Sequence, residues 1–302
     1  MAERKWTGPE PARSITEPVA IESAFVGADG VSRLRRHFHS RHEILLIENG
    51  AADYRIEGRK YAVSAGSLVV VSRLERHEVR IVAQPYVRRF LLVDPVFFQA
   101  AVKDPALASL FRSRPPGYCH HVHLEGEDFE AVRAWLVRLH GETLCTAPFQ
   151  HNAEAALMRL FTVELYRRRP ELFPVRSEQR GSLKVADAQS LIEARFAEAG
   201  LDLASIAAGA FCSPDHLSHQ FKRLTGYSVM RYVALQRIAH ARELLALGCA
   251  PVSEVCTASG FGNTSHFIRA FRAETGDTPL KFRRKAEAGE TSTSRQRASK
   301  SP

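Results

Sequence analysis

Residues 210–233 read AFCSPDHLSHQFKRLTGYSVMRYV, and residues 260–283 read GFGNTSHFIRAFRAETGDTPLKFR. The two stretches align without a gap at a spacing of fifty residues. The identical pairs are Phe211 with Phe261, His216 with His266, Phe221 with Phe271, Thr225 with Thr275, and Gly226 with Gly276. Chance does not produce agreement at this density, and two copies are too few for a solenoid. The sequence therefore predicts a tandem pair of small helical modules.

Each copy has the pattern of a helix-turn-helix unit. Asp202 and Ser213 are suited to capping two successive helices in the first copy, and Asn263 is suited to capping the second helix of the second copy. A long helix over about 229–247, ending at Gly248, is expected to join the two units.

The second helix of each unit has the composition of a recognition helix. These helices are predicted at about 213–225 and 263–275, with apolar residues inward and polar residues outward. Arg269 has the fork geometry that suits two hydrogen bonds to guanine. The residues best placed for DNA phosphates are Lys222, Arg223, Arg272, Lys281, Arg283 and Arg284. The alternative is that these residues form only the solvated face of a helical bundle.

The segment ASGFGNTSHFIRAFRAETGDTPLKFRR, residues 258–284, resembles the signature region of the AraC family, and the resemblance extends over about 185–285. It implies two helix-turn-helix units on one rigid linker helix, reading two successive major grooves. By family position, the residues that face bases are Asp215, Ser218, His219, Thr264, Ser265 and Arg269. Asp215 departs from expectation, because an acid near phosphates is unfavourable unless it accepts from a cytosine amino group. Family analogy also implies an activator that contacts RNA polymerase.

The N-terminal half has a different pattern. Short β-branched runs between about 20 and 93 are broken at Asn49-Gly50, Glu57-Gly58 and Ala65-Gly66, which indicates an antiparallel barrel or sandwich. Helical stripes follow at 127–144 (Phe129, Val132, Leu136, Leu139) and at 151–168 (Ala153, Leu157, Leu160, Phe161, Leu165). They predict a helical hairpin that either packs on the barrel or forms a dimerisation surface.

A histidine-rich segment lies at the start of the strand region. His37, His39 and Glu43 would share one face of a strand, and two imidazoles with a carboxylate are ligands for a divalent metal. With His77, they resemble the two cupin motifs over about 35–81, although Ser72, Leu74 and Ile81 replace the usual Pro, Gly and Asn of the second motif. The quartet His37, His39, Glu43 and His77 is a candidate metal or effector site. The alternative is that it hydrogen-bonds the barrel wall without metal.

Other polar residues around these motifs allow two interpretations. The mouth of the barrel is expected to be basic, from Arg35, Arg36, Arg41, Arg73, Arg76 and Arg80. These arginines would either attract an anionic effector or simply be solvated. A cluster at 120–123 with three histidines is interpreted as a polar loop.

Composition places the chain among ordinary globular proteins. Its 302 residues carry a formal net charge of +9, which suits DNA or an acidic membrane surface. No apolar run is long enough to span a membrane, the N-terminus lacks a secretory pattern, and five scattered cysteines suit a reducing cytoplasm. The predicted organisation is a disordered arm (1–17), a cupin-like sensing and dimerisation domain (18–169), a linker (170–182), a DNA-binding domain (183–285) and a disordered tail (286–302).

Together these features predict a multidomain α+β protein: an N-terminal antiparallel β-barrel with a helical hairpin, followed by an all-α tandem helix-turn-helix domain. The expected function is an effector-responsive, homodimeric transcription regulator that binds double-stranded DNA. One alternative is a metal-dependent cupin enzyme fused to a DNA-binding domain. Another is a nucleoid-type binder without effector control.

Overall fold

A computed structural model describes residues 17–26, 33–112, 117–174, 179–248 and 250–286. The chain divides near residues 186 and 187 into two compact units, one N-terminal and one C-terminal. Residues 1–16 of the predicted arm and 287–302 of the predicted tail lie outside the described residues.

Among the described residues of the N-terminal unit, seven strands form one sheet, and every pair is antiparallel. They are β1 (Val19–Val26), β2 (Arg33–His37), β3 (His42–Ile56), β4 (Arg59–Ser64), β5 (Ser67–Val71), β6 (His77–Val93) and β7 (His121–His123). The long strands β3 and β6 pair with each other at the centre. Strands β4 and β5 flank β3, whereas β1 and β2 flank β6.

The Asn49-Gly50 step lies inside β3 and does not end a strand, so the turn predicted there is wrong. Gly50 has φ +76°, and a Cβ on it would lie 2.6 Å from the carbonyl oxygens of Ala83 and Pro85. The ladder between β3 and β6 shifts register on both sides of this residue. Glycine therefore allows a bend in a continuous strand, with the partner strand packed directly against it.

The bent sheet rolls up on itself. Glu43 lies near the first residue of β3, while His77 is paired with Ile56 at the last residue of β3. Thirteen residues of flat strand would separate the two ends by roughly 43 Å. The Glu43 and His77 side chains are instead 3.5 Å apart. The two ends of the ladder must therefore meet, as in a barrel.

Both faces of the sheet are buried, each in its own core. One core contains strand residues alone, including Leu45, Val69 and Leu92, and is the inside of the rolled sheet. The other joins the opposite faces of the same strands to helices. Those helices are α1 (Pro95–Ala101), α2 (Pro105–Arg112), α3 (Gly126–Thr143) and α4 (Gln150–Arg168).

The predicted helical hairpin corresponds to α3 and α4, which pack on the sheet through Val132, Leu136 and Phe161. The helical periodicity predicts Leu160 on the inward stripe, but this residue is 52% exposed, and Met158 is buried instead. At the predicted linker, Leu172 ends a short 3₁₀ turn and Phe173 follows it. Both side chains are apolar and are buried in the same core. The backbone is helical again from residue 179.

The elements described after residue 178 are all helices, and the first of them spans the division between the two units. These are α5 (Gln179–Arg195), α6 (Leu203–Gly209), α7 (Pro214–Thr225), α8 (Val229–Ala246), α9 (Val252–Ala258) and α10 (Thr264–Thr275). Residues 279–286 are also helical. Asp202 caps α6 in a capping box with Ser205, and Asn263 caps α10 by accepting from the His266 N–H at 3.0 Å.

The two helix-turn-helix units do not share the fifty-residue register over their whole length. The second helices, α7 and α10, are fifty residues apart, but the first helices and their turns are 49 apart. Phe211 is therefore the structural counterpart of Gly260, and both have positive φ. Cys212 is the counterpart of Phe261. This corrects the pairing of Phe211 with Phe261 and explains why Phe211 is 82% exposed while Phe261 is buried.

Gly260 marks a close approach between chain segments. With φ +79°, its position would place a Cβ 2.7 Å from the Phe196 carbonyl oxygen and 2.8 Å from Ala197. Arg237 of α8 donates to the carbonyls of Phe196 and Glu198 at 2.8 Å. The segment after α5 thus contacts both α8 and the turn between α9 and α10.

Candidate nucleic-acid interface and ligand site

The two recognition helices have the same division between buried and exposed residues. Leu217 and Phe221 in α7, and Phe267 and Phe271 in α10, are fully buried. The predicted base-facing residues Asp215, His219, Thr264, Ser265 and Arg269 are exposed, whereas Ser218 is half-buried. The first turns of both helices are therefore exposed, and Arg269 is the positively charged residue among those of α10 that are predicted to face bases.

The predicted phosphate-binding residues fall into two groups. Lys222, Arg223, Arg272 and Arg284 are exposed. Lys281 is exposed but pairs with Asp277 at 3.0 Å, and half-buried Arg283 donates to the Ala250 carbonyl. Arg283 thus makes an internal contact that the sequence pattern does not reveal.

Helix α8 packs against both recognition helices. Tyr232 of α8 lies edge-on to Phe221 of α7, with ring centroids 5.2 Å apart. Arg231 of α8 is paired with Glu274 of α10. One helix therefore contacts both recognition helices.

Three histidines and a glutamate converge inside the rolled sheet. One imidazole nitrogen from each of His37, His39 and His77 lies within 4.8 Å of the other two. The Glu43 carboxylate oxygen Oε2 is 3.4 Å from His39 Nε2 and 3.5 Å from His77 Nε2. His39, Glu43 and His77 are buried, and His37 is half-buried.

The sequence predicts His37, His39 and Glu43 on one strand. The structure does not place them on one strand. His37 ends β2 and Glu43 belongs to β3, with His39 in the connection between them. The connection is fixed by a hydrogen bond from the Leu74 N–H to the His39 carbonyl at 2.9 Å. Leu74 takes a left-handed backbone with φ +64° at the position where the cupin pattern has glycine. The turn thus keeps its conformation without glycine.

Backbone carbonyls orient two of the rings. His39 Nδ1 is 2.8 Å from the Arg41 carbonyl oxygen, and His77 Nδ1 is 3.0 Å from that of Glu75. A carbonyl only accepts, so the Nδ1 atoms carry the hydrogens and the Nε2 atoms point at Glu43. Burial lowers the pKa of His77 to about 4. Burial alone would raise the pKa of Glu43, but a hydrogen bond to His39 and the charge of His77 lower it to about 2.

A buried arginine on the same inner surface was missed in the sequence analysis. Arg88 donates to the Tyr54 hydroxyl at 3.0 Å, and that hydroxyl is 3.0 Å from the Tyr86 hydroxyl. All three side chains are buried. The signal was available, because alternation along β6 places Arg88 on the face of Tyr86 and Phe90.

The segment interpreted as a polar loop is partly a strand. His121–His123 form β7, and Val122 lies in the core. His120 is buried, with its Nδ1 2.9 Å from the Tyr61 hydroxyl and its Nε2 3.1 Å from Glu75. Partners elsewhere in the barrel allow this histidine to be buried.

The predicted basic mouth is not a uniform solvated surface. Arg41 and Arg73 are buried, while exposed Arg80 pairs with Asp53 at 2.6 Å. The side chains of Arg35 and Arg36 lie outside the described residues.

The comparisons with known proteins agree with both halves of the chain. Residues 18–161 match the family model of the AraC-like ligand binding domain, and residues 206–285 match that of a helix-turn-helix domain. The transcriptional activator RhaS of Salmonella schwarzengrund is 27% identical over 274 residues, covering 90% of this chain and 94% of the relative. RhaS of Escherichia fergusonii is 26% identical over 260 residues, covering 83% and 88%. The structure of Vibrio cholerae ToxT with bound unsaturated fatty acid aligns with a TM-score of 0.56 at 12% identity, covering 88% of this chain and 94% of ToxT.

A rolled antiparallel sheet followed by two helix-turn-helix units on a shared helix defines a DNA-binding regulator with its own ligand-binding domain. The chain belongs to the AraC family of transcription regulators. That family assignment agrees with the regulator interpretation and gives no support to the enzyme alternative. Among the described residues, no helix is both long and apolar enough to cross a membrane.

Proposed function

We propose that this protein is an effector-responsive transcription activator whose helices α7 and α10 read two successive major grooves. The observation that carries the proposal is the matched exposure of the first turns of both helices, which rest on one shared helix, α8. Recognition helices in helix-turn-helix proteins contact bases with these N-terminal residues. The activator role is supported by the name of the RhaS relatives.

Within this proposal the exposed side chains have separate tasks. Asp215, Ser218 and His219 of α7 contact bases, as do Thr264, Ser265 and Arg269 of α10. Lys222, Arg223, Arg272 and Arg284 bind phosphates and supply affinity without sequence preference. Lys281, which pairs with Asp277, and Arg283, which is half-buried against the Ala250 carbonyl, are further phosphate-binding residues in this proposal.

The N-terminal domain supplies the response to a small molecule. ToxT, which shares the fold, has been crystallised with an unsaturated fatty acid bound, so a small molecule can occupy this fold. The effector acts by binding one state of the protein more tightly than the other. We propose that the active form is a homodimer that contacts RNA polymerase. Exposed Val137 of α3 and Leu160 of α4 provide apolar surface for the dimer contact.

Selection of bound fragments from a random duplex pool, using the full-length protein, tests the proposal. We expect one motif with two half-elements about one helical turn apart. The variant Arg269→Ala should lose preference at one base position, at a cost of about 1–3 kcal/mol. The matched control Arg272→Ala, one turn further along α10, should weaken binding to all sequences equally and reduce the salt dependence.

Selection without an enriched motif, with binding that depends only on salt, would contradict the proposal. It would support the nucleoid-type alternative instead.

A further inference from the structure

The cluster of His37, His39, Glu43 and His77 contains an internal conflict of hydrogen-bonding groups. Both His39 and His77 direct their Nδ1–H to backbone carbonyls, which leaves Nε2 as the atom facing Glu43. A neutral ring protonated on Nδ1 presents a lone pair at Nε2, and an ionised carboxylate can only accept. While both rings are neutral, two acceptors face one acceptor at 3.4 and 3.5 Å, and His39 donates to Glu43 only if Nε2 gains a second hydrogen. Either that extra proton or a metal cation between the three groups removes the conflict.

The separations between the cluster atoms fit a metal ion. An ion bound tetrahedrally at about 2.0–2.2 Å holds its ligand atoms about 3.4 Å apart. The distances from Glu43 Oε2 to His39 Nε2 and His77 Nε2 have this value. His37 lies directly opposite His77 in the pairing of β2 with β6, and their ring centroids are 4.1 Å apart. A small rotation of His37 would bring its nitrogen to the same ion.

We propose that His37, His39, Glu43 and His77 bind one divalent transition-metal ion inside the N-terminal domain. Imidazole nitrogens with a carboxylate are a donor set for zinc, iron, nickel and similar ions, whereas calcium and magnesium prefer oxygen ligands. The carbonyls of Arg41 and Glu75 are the outer partners that orient ligating histidines. All four residues belong to the N-terminal unit.

The test uses the full-length protein freed of metal by dialysis against a chelator, with zinc and cobalt(II) as probes. We expect one zinc ion per chain by elemental analysis after removal of excess metal. Cobalt should give visible absorption bands that zinc abolishes. Zinc should also raise the Tm of the protein.

Two variants separate loss of the site from loss of folding. Because loss of an outer-shell partner alone costs ~10–100-fold in affinity, His77→Gln should weaken zinc binding by at least about 100-fold. In Glu43→Gln the new amide donates to His39 or His77 Nε2, so this variant should fold without metal yet bind zinc no better than His77→Gln. The matched control is His140→Gln in α3, outside the cluster, which should bind zinc like the wild type.

Failure of the wild type to bind zinc or cobalt would overturn the proposal, since a proton would then hold the cluster together. Equal zinc affinity in the wild type and Glu43→Gln would also overturn it, because the bound ion would lie elsewhere. Neither measurement involves DNA, so either failure would leave the proposed DNA-reading function untouched.

Discussion

Gly260 offers a test of how the second helix-turn-helix unit is packed. Replacing it with alanine adds a Cβ that would lie 2.7–2.8 Å from backbone atoms of Phe196 and Ala197, and backbone cannot rotate away as a side chain can. Overpacking of this kind costs about 1–3 kcal/mol. The left-handed backbone at φ +79° adds about 1–2 kcal/mol for a residue with a Cβ.

Gly276→Ala is the matched control. Gly276 also has φ +79°, but a Cβ there would meet nothing within 4 Å. The control therefore carries only the conformational cost, partly offset by a gain of about 0.4–1 kcal/mol from a stiffer unfolded chain. We expect a net loss of about 1 kcal/mol for Gly276→Ala and about 2–4 kcal/mol for Gly260→Ala.

Amide hydrogen exchange of peptides from α9 and α10 in the full-length protein is the appropriate assay. Tryptophan fluorescence would not report the change, because Trp6 and Trp135 both precede the C-terminal unit. The free energy of opening measured for these peptides should fall further in Gly260→Ala than in Gly276→Ala. Equal losses in the two variants would refute the close approach of Gly260 to the segment after α5.

Two further predictions concern the same domain. Phe271→Ala removes a fully buried ring and should destabilise the domain by about 3–5 kcal/mol. The control Leu280→Ala, at a half-exposed position, should change stability little. Similar losses of unfolding free energy for the two variants in urea would contradict the assigned core. Hydrogen bonds from Lys285 and Lys281 lower the pKa of Asp277. The stabilising effect of this carboxylate is therefore fully present above the ordinary carboxyl pKa, and it is lost as the pH falls through the lowered pKa. Asp277→Asn should therefore flatten the loss of stability of the domain in acid, and an unchanged pH profile would show that the pairing is too weak to matter.

The helical half was predictable because its signals are local. Asp202 and Asn263 cap the helices for which they were predicted, because a short side-chain oxygen just before a helix can accept from the free N–H groups of its first turn. The one-residue shift between the turns was not predictable. Phe211 and Phe261 match in sequence, and only the hydrogen bonds of the turns show that Gly260 is the counterpart of Phe211.

The barrel half depended on contacts between distant residues. The sequence indicated His37, His39, Glu43 and His77, but it did not reveal that the roll of the sheet brings the two ends of the β3–β6 ladder together. A glycine in a strand and a glycine in a turn look alike in sequence, so Gly50 was assigned to a turn. Whether a strand continues depends on its partner, which local sequence does not specify.

The central claim is that two helix-turn-helix units on one helix read two half-elements of the same DNA site. The most direct test inserts about five base pairs, half a helical turn, between the half-elements of the selected site. If α8 holds the units in a fixed relation, only one unit can then engage its half-element. Losing two base contacts at about 1 kcal/mol or more each predicts a fall in affinity of about 30-fold or more. Unchanged affinity for the lengthened site would contradict the account.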